Sequence, residues 1–273
     1  MKPAAFTYHR AQTLSAAIEM LASDSDALVI SGGQSLTPLL NLRMTLCDRL
    51  VDIGALEELR ESSENESFVV IGAGVTHAMI EDGQAPDPAH SLMRRAAASI
   101  AYRAIRCHGT IGGSVAMADP AADWPCVLLA LDAIAVLSGP HGERRVTMDD
   151  LLLGAYETAV RQGEIIRSFE IQKLPAQART SISKVNRKTG AFANSLAVAV
   201  MNGAQSRVVL GAAASRAKIL RGASAALARG LSLAEVCAQV APDIEAILPE
   251  RDPYLQSLHE SNVRRALDEV MAP

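Results

Sequence analysis

The chain has 273 residues, 49% of them hydrophobic, with 26 Lys and Arg against 30 Asp and Glu and a net charge of -4. That length can bury a sizeable core without disulfide or metal staples. No basic stripe is present to follow a phosphate backbone, which argues against nucleic acid as a partner, and no run approaches the roughly 18 apolar residues needed to cross a bilayer.

The opening residues, MKPAAFTYHRAQTL, lack an apolar signal core, so a cytoplasmic location and no membrane insertion are expected. Next, Leu14, Ala17, Ile18 and Leu21 recur at helical spacing behind Thr13, a suitable N-cap, and ALVIS reads as a short buried strand. RLVDI and FVVIGAG read as further strands, separated by the polar EELRESSENES, which suits an exposed hairpin or linker. HSLMRRAAASIA is helix-like, AADWPCVLLAL reads as a helix, and AIAVL, RRVTM and EIIRSFEI read as strands before the break LPAQA. The main domain boundary is placed there, near Lys173. Beyond it, ISKVNR, SLAVAVMNG and SRVVLGAA predict three strands, with Asn202-Gly203 as a hairpin signal between the last two. The remainder, including SRAKILRGASAALARG, SLAEVCAQVA and NVRRALDEVMA, alternates apolar and polar faces as helices do. The four cysteines, Cys47, Cys107, Cys126 and Cys237, are scattered, without the clustered spacing of an iron–sulfur or zinc site and without the pattern of a disulfide framework.

Two stretches carry chemistry. In SGGQSLTPLL, directly after a strand, Gly32 and Gly33 let backbone N–H groups approach an anion, and Gln34 and Ser35 add neutral donors. The pattern recurs at TIGGS, residues 110–114, which reads as a second such loop at a strand edge. Two such loops suit the two phosphates of one diphosphate. Neither matches the Walker A or the G-x-G-x-x-G pattern, which points away from ATP hydrolysis and from an ordinary dinucleotide fold.

Taken in order, SGGQSLTPLLNLRM, LVDIGAL, IGAGVTH, RCHGTIGGSVAMADPAADWPCVLLALDA and KVNRKTGAF resemble the medium, FAD-binding subunit of the molybdenum hydroxylases, the group that includes carbon monoxide dehydrogenase and xanthine dehydrogenase. The resemblance covers nearly the whole chain. It implies an α+β fold: a two-lobed, vanillyl-alcohol-oxidase-like (PCMH-type) FAD-binding domain over 1–173, with sub-lobes at about 1–54 and 55–173. A small domain of a three-stranded antiparallel sheet with helices would follow over 174–273.

Carried onto this sequence, the family's first motif falls on Ser31, Gly32, Gly33, Gln34, Ser35 and Leu36, which would hold the FAD diphosphate. The second falls on Thr110, Ile111, Gly112, Gly113 and Ser114, with Ser114 standing where the family has asparagine. Asp123 matches an aspartate expected to accept hydrogen bonds from cofactor sugar hydroxyls; the alternative is a charge at a helix N-terminus. Lys184 matches a lysine that approaches the flavin ring, although Ala191 replaces the acidic residue usual in that segment. Read alone, Lys184 is a solvated strand lysine. His77 and His108 flank the loops without an assigned role, and Trp124 reads as core or interface packing.

The resemblance further implies an electron-transfer role with FAD in this chain and no catalytic or metal-ligating residue of its own. A small subunit would hold two two-iron two-sulfur clusters and a large subunit the molybdenum cofactor, in a dimer of heterotrimers. A stand-alone flavoprotein oxidase or reductase, and a nucleotide-binding module without redox turnover, are the competing readings. The organic substrate and the final acceptor are not written in these residues.

Overall fold

Three principal sheets organise the computed structural model, which describes residues 2–248 and 252–272. The first is parallel and formed by β1 (Thr7–Arg10), β2 (Ala27–Ile30) and β3 (Arg49–Asp52), in the order β1-β3-β2. Helices α1 (Leu14–Ala22) and α2 (Leu36–Leu42) connect them. Thr13 starts α1 by accepting the Ala16 N–H, after which Leu14, Ala17 and Leu21 share one face and join a core with Val51 and Ile53.

The second sheet is antiparallel. Its first strands are β4 (Ser62–Glu64) and β5 (Phe68–Gly72), so the polar stretch between the first two sheets does form a hairpin, with the Asn65 side chain accepting the Ser67 and Phe68 N–H groups. Five helices follow: α3 (His77–Glu81), α4 (Leu92–Ser99), α5 (Arg103–Arg106), α6 (Ile111–Met117) and α7 (Asp123–Ala130). The chain then returns through β6 (Ile134–Gly139), β7 (Gly142–Thr147), α8 (Met148–Leu151), the small pair β8 (Leu152–Gly154) and β9 (Glu157–Thr158), and β10 (Ile165–Gln172). In the order β4-β5-β10-β6-β7, the last strand inserts at the centre, which buries Phe169 fully. Ile165, at the start of β10, belongs to the core of the first sheet and ties the two together.

The third sheet comprises β11 (Arg179–Asn186), β12 (Ala193–Met201), β13 (Arg207–Gly211) and β14 (Lys218–Ile219), all antiparallel. Four strands thus replace the expected three. The stretch read as helix from Ser215 stays extended long enough to pair Lys218 and Ile219 with Leu210 and Val209, and Leu220 donates to the Val208 carbonyl before α9 (Arg221–Ala228) begins. Three more helices follow, α10 (Leu233–Cys237), α11 (Val240–Ile247) and α12 (Pro253–Met271). Strand β12 is buried on both faces because α7 covers one and α12 the other. Leu196, Val198 and Val200 enter the main core, and Ala197 and Ala199 enter the C-terminal one.

Two further expectations change. Helix α4 starts only at Leu92, because His90 and Ser91 adopt positive φ (51° and 76°) and turn the chain just before it. The second glycine pair does not lie in a loop at a strand edge. Gly112 and Gly113 occupy the first turn of α6, which Thr110 caps by accepting the Gly113 N–H.

Candidate functional site

A cavity of about 640 Å³ opens between the first sheet, the helical segment 100–123 and the start of the third sheet. That volume falls in the range of about 300–1,000 Å³ usual for small-molecule and cofactor sites. Both glycine pairs reach it. A Cβ on Gly32 would lie 2.0 Å from the His108 carbonyl oxygen and 2.9 Å from the Gly109 Cα, so the first loop packs backbone to backbone against the residues before the second pair. The Thr110 hydroxyl donates to the Ser31 hydroxyl at 3.4 Å across the same junction.

The two bends use their backbone donors differently. Among the described residues, the N–H groups of Gly32, Gly33, Gln34 and Ser35 have no partner within the chain, and all four residues line the cavity. Gly33 has φ +71°, and such alternation of backbone handedness turns consecutive N–H groups toward one point, an arrangement that holds anions. The Gln34 side chain folds back onto the Gly32 carbonyl at 3.1 Å and braces the loop. In the second bend every equivalent donor is occupied. Ile111 donates to the Val75 carbonyl, Gly112 to Ala73, Ser114 to the Thr110 carbonyl and Gly113 to the Thr110 hydroxyl. The reason for glycine at 112 is packing, since a Cβ there would stand 2.4 Å from that of Ala73.

Of the residues singled out in the sequence, Ser31, Gly32, Gly33, Gln34, Ser35, Leu36, Thr110, Gly112, Gly113, Ser114, Asp123 and Lys184 all line the cavity. Ile111 does not, because its side chain points into the core and is fully buried. Asp123 and Lys184, expected to act separately, form one ion pair: the ammonium contacts both carboxylate oxygens at 2.9 Å, and both side chains are buried. The Ser99 carbonyl lies 3.3 Å from the same ammonium, and the Ser99 hydroxyl donates to Asp123. Burial pushes the Asp123 carboxyl above its usual range, and the Lys184 ammonium acts against that shift.

Lys184 is held from behind. On β11, Ser181 and Ser183 face α12, where the Ser181 hydroxyl donates to the Ala266 carbonyl at 2.6 Å and the Ser183 hydroxyl to Asn262 at 2.7 Å. Strand alternation then directs Lys184 to the opposite, cavity side.

Several contributors have no site role in the sequence reading. His77, buried beside Gly109, accepts the Trp124 indole N–H on Nδ1 at 2.9 Å, and burial together with the Arg106 charge lowers its pKa to about 4. The Arg106 guanidinium donates to the Ile100 and Ala101 carbonyls and pairs with Glu81, fixing a wall of the cavity. Gly190 packs against that wall, because a Cβ there would meet the Ala101 carbonyl at 2.8 Å. Tyr102 and Phe192, both exposed, also line the cavity. His108 contributes its carbonyl at the junction, while its side chain is exposed. The contact of His77 with Trp124 joins residues 47 apart, and neither residue carries a local pattern that announces it.

An FAD molecule suits this cavity on the structure's own terms. Four free backbone donors form a neutral anion cradle, Gly32 gives that cradle no room for a side chain, and apolar residues such as Val29, Ile30, Ile165 and Ile166 line the remainder.

Comparison with known proteins agrees. Residues 4–174 match the family described as the FAD binding domain in molybdopterin dehydrogenase. The 6-hydroxypseudooxynicotine dehydrogenase complex subunit alpha of Paenarthrobacter nicotinovorans is 37% identical over 71% of this chain and 66% of its own length. The carbon monoxide dehydrogenase medium chain of Hydrogenophaga pseudoflava is 34% identical over 74% of this chain and 70% of its own. A solved structure of carbon monoxide dehydrogenase from Hydrogenophaga pseudoflava, lacking the Mo-pyranopterin moiety of the molybdenum cofactor, superposes with a TM-score of 0.94 at 32% identity and covers 100% of this chain and 99% of that one. On the fold, the cavity and these likenesses together, the chain belongs to the FAD-binding medium subunits of the molybdenum hydroxylases.

Proposed function

We propose that this chain is the electron-transferring subunit of a heterotrimeric molybdenum hydroxylase, assembled as a dimer of heterotrimers in the cytoplasm. It would receive electrons from two-iron two-sulfur clusters in a small subunit, while a large subunit oxidises the organic substrate at a molybdenum cofactor. The observation that carries this reading is the cavity at the junction of the two bends, with four free N–H groups on one of them. The relatives named above support the assembly, being by their own names a medium chain and a subunit of a complex.

Bound in the cavity, FAD supplies the ability to take up two electrons together and release them singly or as a pair. The chain's residues hold and surround it. Gly32, Gly33, Gln34 and Ser35 offer N–H groups to its diphosphate without bringing a cation there. The Asp123–Lys184 pair brings two charges to the wall with no net charge between them, so Lys184 does not present an uncompensated ammonium to the cavity. Arg106 keeps the 100–102 wall in place. The same reading assigns residues 1–173 to FAD binding, in sub-lobes of about 1–54 and 55–173, and residues 174–273 to the sheet-and-helix domain that carries Lys184.

The test is purification from the native source in its native assembly. The expected preparation holds one FAD per copy of this chain together with iron, sulfide and molybdenum in two partner chains, and the flavin absorbance bleaches when the organic substrate is added. Isolation of the lone chain as a competent oxidase of a small alcohol would overturn the proposal.

A further inference from the structure

His77 lies in the cavity wall, and its hydrogen-bonding geometry fixes the position of its ring proton. The Trp124 indole nitrogen is only ever a donor, and it donates to His77 Nδ1 at 2.9 Å. Nδ1 therefore carries a lone pair, and the proton of the neutral ring sits on Nε2. Trp124 is fully buried, so leaving its N–H unpartnered is costly and the arrangement is self-enforcing.

The position of Nε2 is equally constrained. The His77 N–H donates to the Gly109 carbonyl at 2.9 Å, and the Thr76 hydroxyl accepts the Met79 N–H to cap the helix that begins at His77. A Cβ on Gly109 would lie 2.7 Å from Nε2, and a Cβ on Gly32 would lie 2.9 Å from the Gly109 Cα. Nε2 thus stands where the two bends meet. The residue is only 6% exposed and lines the cavity, yet among the described residues Nε2 has no hydrogen-bond partner. The ring donor faces the cavity with no acceptor from the chain, so a ligand that fills the cavity can supply one.

We infer that the His77 Nε2–H donates a neutral hydrogen bond to the diphosphate of the bound FAD, as a fifth donor beside the four backbone N–H groups of the first loop. This rests on the FAD site described above and is independent of the electron path proposed for it. Burial and the neighbouring Arg106 charge disfavour protonation of the ring, so in the FAD-free chain the donor is an imidazole and not an imidazolium. The site thereby meets a diphosphate with neutral N–H donors from the first loop and from the start of α3, while the backbone donors of the second bend are occupied within the chain.

The test uses the full chain stripped of FAD and titrated with FAD, comparing wild type with His77→Phe and His77→Gln. His77→Phe is expected to weaken FAD binding about ten- to hundredfold, the range for a hydrogen bond to a charged group. His77→Gln, whose amide also donates, is expected to recover most of that loss. In the wild-type chain, ¹⁵N spectra of labelled histidine should show the proton of His77 on Nε2 and a shift of that signal on FAD binding. The ³¹P resonances of bound FAD should move between wild type and His77→Phe. Unchanged FAD affinity in His77→Phe, a proton found on Nδ1, or a His77 signal indifferent to FAD would each overturn the inference while leaving the FAD site standing. A wild-type chain that binds no FAD would instead remove the site itself. Should His77→Phe fold poorly, the wild-type spectra and His77→Gln decide the matter alone.

Discussion

The two glycine pairs look alike as text and differ as chemistry. In the loop at 31–35 four consecutive N–H groups are free, whereas at 111–114 the four equivalent groups are bonded to Val75, Ala73 and Thr110. Each pair also excludes side chains for its own reason: Gly32 because the His108 backbone lies against it, Gly112 because Ala73 does. A glycine pair thus signals close approach, and only the surrounding acceptors decide whether that approach is open to a ligand or filled by the chain. The contrast extends along the cavity, since the second bend leads into α7 and its buried Asp123–Lys184 pair, while the first loop carries no charged side chain.

The largest expected effect lies at that charged end. Lys184→Met strands the Asp123 carboxylate in a buried site, and losing one partner of such a pair costs about 3–5 kcal/mol. Chemical denaturation of the FAD-free chain should show this loss, and the double variant Asp123→Leu, Lys184→Met should recover much of it. Were Lys184 held for the flavin alone, the stability of the FAD-free chain would not move.

The glycine comparison is sharpened by placing alanine at each position. Gly32→Ala pushes a methyl group into the His108 carbonyl and must part the two bends, with an expected loss of about 3 kcal/mol, or a hundredfold, in FAD affinity measured by titration. Gly112→Ala should cost about as much in the unfolding free energy of the FAD-free chain, because the methyl group meets buried Ala73. Equal losses of FAD affinity in the two variants would mean that the bends are equivalent cradles after all.

Much of this was legible in the sequence, and the failures have physical reasons. The first loop could be read because a strand, a glycine pair and short polar residues follow one another without interruption. The second reads as a strand-edge loop because its glycines outweigh the helical signal. That signal was present in Thr110, three residues before Gly113 as an N-cap should be, and in Ile111 and Val115, four apart and both buried. Asp123 and Lys184 are each legible, but their pairing spans 61 residues and depends on how the third sheet packs against α7. His77 stands beside a loop with no role legible in the sequence, since its hydrogen bond comes from an indole N–H that no local pattern connects to it. Sequence periodicity reports which face is buried; it does not report which donor is left over.

Acid offers a way to separate His77 from the second bend beside it. Its folded pKa is lowered from 6.5 to about 4, with burial the larger cause and the Arg106 charge the lesser. The groups facing the ring are Arg106 on α5, itself paired with Glu81 on α3, the neutral Trp124 indole on α7 and the Gly109 backbone. Because the folded state resists protonation, the stability contribution is complete above about pH 6.5 and is lost as pH falls toward 4, amounting to about 3 kcal/mol for one such group. His259, also lowered by burial, contributes in the same direction and is common to both proteins compared. Unfolding free energies of the FAD-free wild type should therefore fall more steeply between pH 7 and pH 4 than those of His77→Gln, and parallel curves would show that His77 does not titrate as described.

The smallest effect tests the junction of the bends directly. The Thr110 oxygen caps α6 by accepting the Gly113 N–H at 3.1 Å, and its hydroxyl reaches Ser31 at 3.4 Å. Thr110→Ala should cost about 1 kcal/mol of stability as a lost cap, while Thr110→Ser should cost little. The same substitution frees the Gly113 N–H at the cavity wall, making the second bend resemble the first by one donor. FAD affinity should for that reason fall less than stability does. The bond to Ser31 is long and neutral, so a double-mutant cycle of Thr110→Ala with Ser31→Ala should show coupling below about 0.5 kcal/mol. A larger coupling, or a loss of FAD affinity in Thr110→Ala equal to that in Gly32→Ala, would place the Thr110 hydroxyl itself among the ligand's donors and erase the asymmetry between the two bends.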